Sequence, residues 1–412
     1  MKKYLFFIFL SFCILLLGCK EDLYKKEYPK PPQGASLKAS FTFADVNNTK
    51  FRIGRNNEPV TVRFTNTSFN DAGSTYYWIF PDSTVKTNNG SLAVTYTFKS
   101  PGRYTVKLIV ESARVVASTE QVVNILPAQQ FGQPLYFTDG STRISVVYLN
   151  NNAPIKEEIP LTFSTIRGLV ADTTASKQTL YVSDNGEGKI YKVVIDEVGE
   201  VTRTVVAENL SSPLGLALDY REKKLYWCNG TTIFRVDLTK PMPITPEVYS
   251  TGYTDIRRLA IDDATGKIYT NEYGAVPPTG IWSVTRTSGT RTAEIPATGG
   301  GIGIAVGAGR LFYHDFSGTG NHRIRAVSLS NLTGPSIDYG DVGANDIQDI
   351  VYSAVTNKIY WGDIGPSAAN PSDTGGRQIY RANPDGTNIE PNWIPNIVVR
   401  NLALGKVVQP QP

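Results

Sequence analysis

Cysteine and histidine are scarce in this chain, which has three cysteines and two histidines among 412 residues. Cys13 and Cys19 lie in the N-terminal segment, so only Cys228 remains in the rest of the chain. No disulfide can form within that part, and its stability has to come from burial of apolar side chains. The sequence also lacks a Walker loop, a nucleophile elbow and a His-Glu-x-x-His pair, so it predicts no catalytic residues, no cofactor and no metal site.

Runs of positive charge and long amphipathic helical windows are missing as well. The formal net charge is +4, and removing Lys2 and Lys3 leaves 39 basic against 37 acidic residues, a net of +2. Because no basic stripe could follow a phosphate backbone, we expect no nucleic-acid partner. The chain has instead 22 Tyr, 36 Gly and 25 Pro, with short apolar stretches between turn residues. This composition is typical of an all-β protein.

The N-terminus carries a secretion signal. Lys2 and Lys3 precede an apolar run over 4–17, which ends in Leu16-Leu17-Gly18-Cys19. This end resembles the lipobox of bacterial lipoproteins, and the resemblance implies that 1–18 are removed and that Cys19 is lipidated. An ordinary signal peptide with an incidental cysteine is the alternative. Membrane contact is then expected only through this anchor, since 19–37 form a flexible tether with Lys30-Pro31-Pro32.

The three residues that directly follow the lipidation site indicate where the protein is localised. Lys20-Glu21-Asp22 resembles the lipoprotein export signal of Bacteroidota. The resemblance implies an outer-membrane lipoprotein that faces the cell exterior. The alternative is a solvated charge cluster in the tether.

A first module is expected over 38–126. Strand patterns recur over 39–44, 60–66, 75–80, 93–98, 103–110 and 114–125, and this density predicts a β-sandwich. The stretch Tyr76-Tyr77-Trp78-Ile79-Phe80-Pro81-Asp82 and the segment 96–108 resemble two motifs of the PKD domain, an immunoglobulin-like module. The resemblance implies that Trp78 anchors the core. Residues 127–134 read as a linker.

A short pattern repeats six times over 135–412. A branched apolar residue and an aromatic one are followed by two variable residues and a carboxylate or amide, and the starts are 43 to 48 residues apart. A period of this length built from strands and turns predicts a six-bladed β-propeller. The copies are LYFTD (135–139), LYVSD (180–184), LYWCN (225–229), IYTNE (268–272), LFYHD (311–315) and IYWGD (359–363).

A second landmark predicts the innermost strand of each blade. It occurs upstream of five copies, over 166–172, 213–219, 256–262, 301–307 and 347–353, and is missing before Leu135. The sixth occurs at the other end of the chain, over 399–405. We therefore expect the C-terminal strand to enter the blade that begins at Leu135 and to close the ring, which removes exposed sheet edges.

The repeat resembles the YWTD propeller, the class B repeat of the low-density-lipoprotein receptor. Tyr360-Trp361-Gly362-Asp363 and Leu225-Tyr226-Trp227-Cys228-Asn229 carry the motif, and 377–387 resemble the strand and turn that follow it. The resemblance implies that the residues ending the repeat are structural and bind backbone groups between blades. They are Asp139, Asp184, Asn229, Glu272, Asp315 and Asp363.

When the six inner-strand segments are aligned, each aligned position forms a column. Candidate binding residues come from the second column, where charged and polar residues interrupt an apolar pattern. Converging strands should bring this column to the channel mouth, where a cationic funnel would receive an acidic ligand such as a uronate or a carboxylate-bearing peptide. The alternative is that the arginines pair with Asp255, Asp346 and Asp349. The four candidates are Arg167, Arg257, Gln348 and Arg400.

The two histidines offer a weaker metal hypothesis. His314 and His322 flank a turn beside Asp315, although their spacing matches no established ligand signature. The function that the sequence favours is binding of an extracellular glycan or protein, with oligomeric state undetermined. A lactonase-like metal hydrolase using Asp349 and Asn401 is the enzymatic alternative. A structural spacer without a small ligand is the third.

Overall fold

The computed structural model describes most of the chain beyond residue 36. It covers 37–409 except for 55–57, 70–72, 89–92, 114, 129, 151–153, 197–198, 275–278, 297, 317–321, 341–345 and 366–376. The chain divides into two compact units, Met1–Gln129 and Gln130–Pro412. The regular elements of the described ranges are β-strands. A search of these ranges found no helix with the length and apolar character needed to cross a membrane. The predicted signal peptide and Cys19 lie outside the described residues.

The first unit is a sandwich of two antiparallel sheets with strand orders β1-β2-β5 and β4-β3-β6-β7. The strand β4 was not predicted, because its four residues show no apolar alternation. The strands are β1 (Phe41–Asp45), β2 (Val60–Asn66), β3 (Thr75–Ile79), β4 (Val85–Asn88), β5 (Ala93–Phe98), β6 (Gly102–Glu111) and β7 (Val116–Ile125).

An aromatic cluster fills the sandwich core. Trp78 is 1% exposed, and its ring centroid lies 5.2 Å from that of Phe41 and 5.9 Å from that of Phe64. Alternate residues of β2 and β3 face this core because strand side chains point to opposite faces in turn. Trp78 is therefore a core residue of the sandwich.

The second unit is built from six four-stranded antiparallel sheets in its described ranges, which we number as blades. Blade 1 has the strand order β10-β9-β8-β31, and every later blade follows chain order from its innermost strand outward. The strands of blades 1 to 3 are β8 (Pro134–Asp139), β9 (Arg143–Tyr148), β10 (Glu157–Glu158); β11 (Ile166–Ala171), β12 (Gln178–Asp184), β13 (Lys189–Ile195), β14 (Val201–Ala207); β15 (Leu216–Asp219), β16 (Lys224–Cys228), β17 (Gly230–Asp237) and β18 (Glu247–Ile256).

The remaining strands complete blades 4 to 6 and return to blade 1. They are β19 (Ala260–Ile261), β20 (Ile268–Asn271), β21 (Ile281–Val284), β22 (Thr292–Ile295); β23 (Ile304–Gly307), β24 (Arg310–Asp315), β25 (Arg323–Ser328), β26 (Ile337–Asp338); β27 (Ile347–Ser353), β28 (Lys358–Asp363), β29 (Gln378–Ala382), β30 (Glu390–Pro395); and β31 (Leu402–Leu404).

The C-terminal strand β31 is the innermost strand of blade 1. It pairs with β8 in the register Leu402↔Phe137, Ala403↔Tyr136 and Leu404↔Leu135. The Asn401 carbonyl also accepts a hydrogen bond of 3.1 Å from the Thr138 amide. This is the pairing that the missing first inner strand predicted.

Backbone crowding at the axis explains the small residues of the inner strands. A Cβ atom added to Gly168 would lie 2.3 Å from the Leu214 carbonyl oxygen, and one added to Gly215 would lie 2.5 Å from the Arg257 carbonyl oxygen. Only glycine allows neighbouring backbones to approach this closely. The third column of the inner strands must therefore be glycine in blades 2 and 3. In blades 4, 6 and 1 the same column contains Arg258, Asp349 and Asn401.

Candidate functional site

The four predicted binding residues lie where the inner strands begin. Arg167 and Gln348 occupy register shifts in the pairing of β11 with β12 and of β27 with β28. Such bulges redirect side chains and are common beside functional sites. Arg257 lies three residues before β19 of blade 4, and Arg400 lies two residues before β31 of blade 1. We call these four residues the mouth layer.

The arginines of the mouth layer lie close enough to affect one another. Burial lowers the pKa of Arg167, and the positive charges of Arg400, Arg258 and Arg257 lower it further. Each additional cation disfavours the charged form of its neighbour. The structure therefore gathers several guanidinium groups around one end of the channel, where an anion would relieve their repulsion.

Ion pairing accounts for one of the three mouth-layer arginines. Arg257 donates from Nε and Nη2 to the Asp255 carboxylate, with Nη2 2.8 Å from Oδ2, and its guanidinium lies 3.9 Å from the centroid of the Tyr273 ring. Arg167 and Arg400 have no ion pair or side-chain hydrogen bond to any residue that the structure describes. The alternative in which aspartates neutralise the arginines thus holds for Arg257 and does not extend to the other two.

Arg258, which the sequence reasoning passed over, lies behind the mouth layer and spans the channel. Its Nη1 donates to the carbonyls of Arg167 at 2.8 Å and of Arg257 at 3.0 Å, and its Nη2 donates to the carbonyl of Arg400 at 2.5 Å. The residue is only 7% exposed, and burial lowers its pKa. The signal in the sequence was a charged residue in a column that is glycine in three of the six blades.

Asp349 provides the counter-ion of Arg258. Its Oδ2 lies 3.6 Å from Arg258 Nε and accepts a hydrogen bond of 3.0 Å from the Leu402 amide, while Oδ1 accepts one of 3.0 Å from the Ile350 amide. Burial raises the pKa of this carboxyl to about 6. Asn401 Nδ2 lies 3.4 Å from Thr138 Oγ1. Asp349, one of the two residues proposed as metal ligands in the hydrolase alternative, is therefore paired with a fixed positive charge, which opposes a divalent cation there.

The two histidines do meet, as the hairpin suggested. His314 Nε2 lies 2.9 Å from His322 Nδ1, and His314 Nδ1 accepts a hydrogen bond of 3.1 Å from the Ile302 amide. Burial, followed by the His322 charge, lowers the pKa of His314 to about 3. Asp315 instead contacts the Gly299 amide and Arg325. Within the described ranges no three His, Cys, Asp or Glu side chains are grouped to hold a metal ion.

Four of the six repeat-ending residues accept hydrogen bonds from amides that precede the inner strand of their own blade. Asp184 Oδ2 and Oδ1 accept from Ser164 N at 2.7 Å and Thr165 N at 2.8 Å. Such contacts join the second strand of a blade to the chain arriving from the previous blade. Glu272, Asp315 and Asp363 make the corresponding contacts with Thr254 N at 2.5 Å, Gly299 N at 2.8 Å and Asp346 N at 3.2 Å.

The other two repeat-ending residues differ from this arrangement. Asp139 accepts a hydrogen bond of 2.8 Å from Lys156 Nζ, and Asn229 Oδ1 accepts one of 3.1 Å from the Thr232 amide. Blade 1 receives its inner strand from the C-terminus, so Asp139 has a different connection beside it. The shared sequence pattern therefore covers two kinds of local contact.

Comparison with known proteins identifies the first unit. The PKD domain family matches residues 34–126. The first unit contains a PKD domain. A segment of 107 residues is 30% identical to low-density lipoprotein receptor-related protein 5 of Mus musculus, and it makes up 26% of this chain and 7% of that relative. The chain thus spans a small fraction of the curated relative that it matches.

A solved structure supports the propeller fold of the second unit. A chain from the nidogen/laminin complex aligns with a TM-score of 0.54 at 16% identity, covering 66% of this chain and 98% of that one. A gluconolactonase of Xanthomonas campestris aligns with a TM-score of 0.45 at 12% identity, covering 66% and 91%. An auxiliary nutrient binding protein of Bacteroides thetaiotaomicron gives 0.42 at 12%, covering 87% and 86%. At these identities the likeness concerns the fold alone.

Proposed function

We propose that this protein is a surface lipoprotein of the Bacteroidota type whose propeller binds an acidic group of an extracellular glycan or protein at the mouth layer. One observation carries the proposal: Arg167 and Arg400 lack an ionic partner among the described residues, yet they share one end of the channel with Arg257 and Arg258. Unpaired guanidinium groups held together favour a ligand carboxylate, which takes two parallel hydrogen bonds from such a group.

The residues around these arginines support recognition of a bound acid. Gln348 is 7% exposed, and its side chain makes no hydrogen bond to any residue that the structure describes, so its amide is free to contact a ligand hydroxyl or carbonyl. Arg258 hydrogen-bonds the carbonyls of Arg167 and Arg400, which fixes the backbone of both residues. A site fixed before binding loses less entropy when the ligand arrives.

Calorimetry with matched acidic and neutral ligands tests this function. The full chain is titrated with oligogalacturonate, with the same oligomer after reduction of its carboxyl groups, and with a glutamate-rich peptide. Charge-assisted hydrogen bonds contribute about 1.5–3 kcal/mol each, and 1.4 kcal/mol is tenfold in affinity. We therefore expect Arg167→Gln and Arg400→Gln each to weaken acidic binding by about tenfold or more.

Two further substitutions serve as controls for charge at the channel. Arg257→Gln is expected to have a smaller effect, because Arg257 is already paired with Asp255. Arg221→Gln removes an exposed arginine that follows the inner strand of blade 3 at the far end of the channel, and affinity should not change. Equal binding of reduced and acidic oligomers, or no effect of Arg167→Gln and Arg400→Gln, would reject the site. Absence of binding by every acidic ligand would favour the structural spacer.

Lipid attachment is tested separately from ligand binding. We expect Cys19→Ser to move the protein from the outer-membrane fraction to the soluble fraction, and Cys13→Ser to leave it in the membrane fraction. Protease added to intact cells should digest the wild type if it faces the exterior. Membrane association that survives Cys19→Ser would contradict lipidation at this residue.

A further inference from the structure

Two aromatic side chains stay exposed in the described part of the second unit, and both lie at the end of the channel where the mouth layer is found. Tyr273 and Phe316 are each 37% exposed, and they directly follow the repeat-ending residues Glu272 and Asp315. Most other aromatic rings of the described blades are buried. Exposed apolar groups that gather beside a polar site are typical of a binding surface.

The Tyr273 ring lies directly beside the mouth layer. Its centroid is 3.9 Å from the Arg257 guanidinium, and its backbone amide donates a hydrogen bond of 2.7 Å to the Asp255 carbonyl. The side chains of Arg257 and Asp255 remain 39% and 32% exposed although they form an ion pair. An aromatic ring, a cation and a carboxylate are therefore accessible together in blade 4.

Phe316 occupies the corresponding place in blade 5. Its ring centroid lies 4.6 Å from that of His322, whose Nδ1 is 2.9 Å from His314 Nε2. His314 in turn accepts a hydrogen bond of 3.1 Å from the amide of Ile302. Ile302 is the second-column residue of blade 5, as Arg257 is of blade 4. Phe316 is therefore held near the level of the mouth layer by contacts through the two imidazoles.

Contacts between blades 4 and 5 hold the two rings on one face of the propeller. Asn271 Nδ2 donates a hydrogen bond of 2.8 Å to the His314 carbonyl, and each of these residues lies two positions before the exposed ring of its blade. A Cβ atom added to Gly300 would lie 2.1 Å from the Gly274 carbonyl oxygen. The chain that follows the first ring thus packs against the chain that enters blade 5.

The chemistry of this surface favours a saccharide over a peptide. A pyranose ring has a face of C–H groups that packs on an aromatic ring, and hydroxyl groups at its rim that both donate and accept hydrogen bonds. The Asp255 carboxylate can accept from such a hydroxyl beside Arg257. The ionised side chains of an acidic peptide have only acceptor oxygens, so Asp255 would repel them. The two rings are also exposed, whereas the apolar anchors of a protein partner bind in buried pockets.

We propose that the mouth layer binds a uronate-containing oligosaccharide whose neighbouring sugar rings pack on Tyr273 and Phe316. One uronate carboxylate is held by Arg167 and Arg400, so the inference rests on the proposed function. It adds the class of ligand and a direction, because the saccharide extends from the channel over blades 4 and 5. A chain of sugars should therefore bind more tightly than a single uronate, since only the chain reaches the rings.

Calorimetry on the full chain tests the ligand class with probes of matched charge. Oligomers of galacturonate, of mannuronate and of glucuronate are compared with their monomers and with a glutamate peptide that carries the same number of carboxylates. We expect at least one uronate oligomer to bind at least tenfold more tightly than both its monomer and the peptide. A peptide that binds as tightly as the best uronate oligomer would overturn the inference and make the partner a protein.

Substitutions of the two rings test the packing contact itself. Tyr273→Ala and Phe316→Ala should each weaken binding of the best oligomer by about fivefold, the loss of one aromatic packing contact, and should leave binding of its monomer unchanged. Tyr273→Phe and Phe316→Tyr keep a ring and should retain the affinity. Phe69→Ala removes an exposed ring of the first unit and is the matched control. All of these side chains are exposed, so thermal unfolding should show an intact fold.

The outcomes separate this inference from the acidic site. If Arg167→Gln weakens binding of the oligomer but Tyr273→Ala and Phe316→Ala do not, the acidic site stands and the saccharide path over blades 4 and 5 is wrong. An equal loss in Phe316→Tyr and Phe316→Ala would refute ring packing. If no uronate oligomer and no acidic peptide binds, the proposed function fails and this inference fails with it.

Discussion

Replacing Arg258 by methionine tests whether its guanidinium holds the channel together. Methionine retains much of the side-chain volume but removes the charge, so three carbonyl oxygens lose a donor and Asp349 loses its counter-ion. Breaking a buried ion pair by removing one partner costs about 3–5 kcal/mol. At roughly 2–4 °C per kcal/mol for a large domain, the Tm of the propeller should fall by about 10 °C.

The pH dependence of this loss is specific to Asp349. Burial raises the pKa of Asp349 from 3.8 to about 6. A carboxyl with a raised folded-state pKa binds a proton more tightly when folded, so its stabilising contribution is present below 3.8 and is lost as the pH rises to about 6. That difference corresponds to about 3 kcal/mol. Without Arg258 the pKa of Asp349 rises further, and the loss continues above pH 6.

Thermal unfolding at several pH values measures this effect. The stability difference between wild type and Arg258→Met should be smaller at about pH 5 than at about pH 8. The double variant Arg258→Met/Asp349→Asn should recover part of the loss at pH 8, because no buried carboxylate remains unpaired. Arg221→Met, at an exposed position, is the control. The same loss at every pH, with no recovery in the double variant, would refute the role assigned to the ion pair.

Three other predictions concern particular buried groups. Asp184→Asn should lower the free energy of unfolding by about 2–3 kcal/mol in urea titrations, because the fully buried carboxylate accepts hydrogen bonds from several amides. Asn229→Ala removes one local hydrogen bond and should lower it by about 1 kcal/mol or less. Equal losses would contradict the distinction between the two kinds of repeat-ending residue. Trp78→Ala should lower the free energy of unfolding of the sandwich by about 3–5 kcal/mol, measured by urea unfolding followed by near-ultraviolet circular dichroism. A loss under about 1 kcal/mol would be inconsistent with a core anchor. Burial raises the pKa of Cys228 to about 12, so in a Cys13→Ser/Cys19→Ser background a thiol reagent at pH 8 should label Cys228 only after unfolding; fast labelling of folded protein would contradict this.

The propeller was predictable because its signal is repeated. Each blade needs an aromatic second strand and a slim inner strand, so six imperfect copies reinforce one another. The position of β31 followed from counting inner strands, since the copy at Leu135 had none upstream. The strand β4 was missed because a short strand with Lys86, Thr87 and Asn88 has no such periodicity.

The side-chain arrangement at the channel was less predictable because it depends on contacts between blades. The second column placed Arg167, Arg257 and Arg400 in one layer, but nothing in it distinguished the paired Arg257 from the other two. Pairing with Asp255 depends on the local backbone path. The reach of Arg258 to blades 1, 2 and 6 depends on a long rotamer and on distances across the ring. The position of a residue within its inner strand determines how far along the channel axis it lies. It does not determine which residues of other blades the side chain contacts across the channel.

Glycine in the third column explains how one side chain can contact so many blades. At Gly168 and Gly215 the neighbouring backbones leave no room for a Cβ atom, so in this part of the ring the carbonyls are brought to the axis. Arg258 enters from blade 4 and donates to carbonyls of blades 1 and 2 while Asp349 of blade 6 balances its charge. The backbone of Arg167 and Arg400 is therefore fixed by bonds that do not use their own side chains. Replacing either of these side chains should change ligand affinity far more than stability, whereas replacing Arg258 should change both.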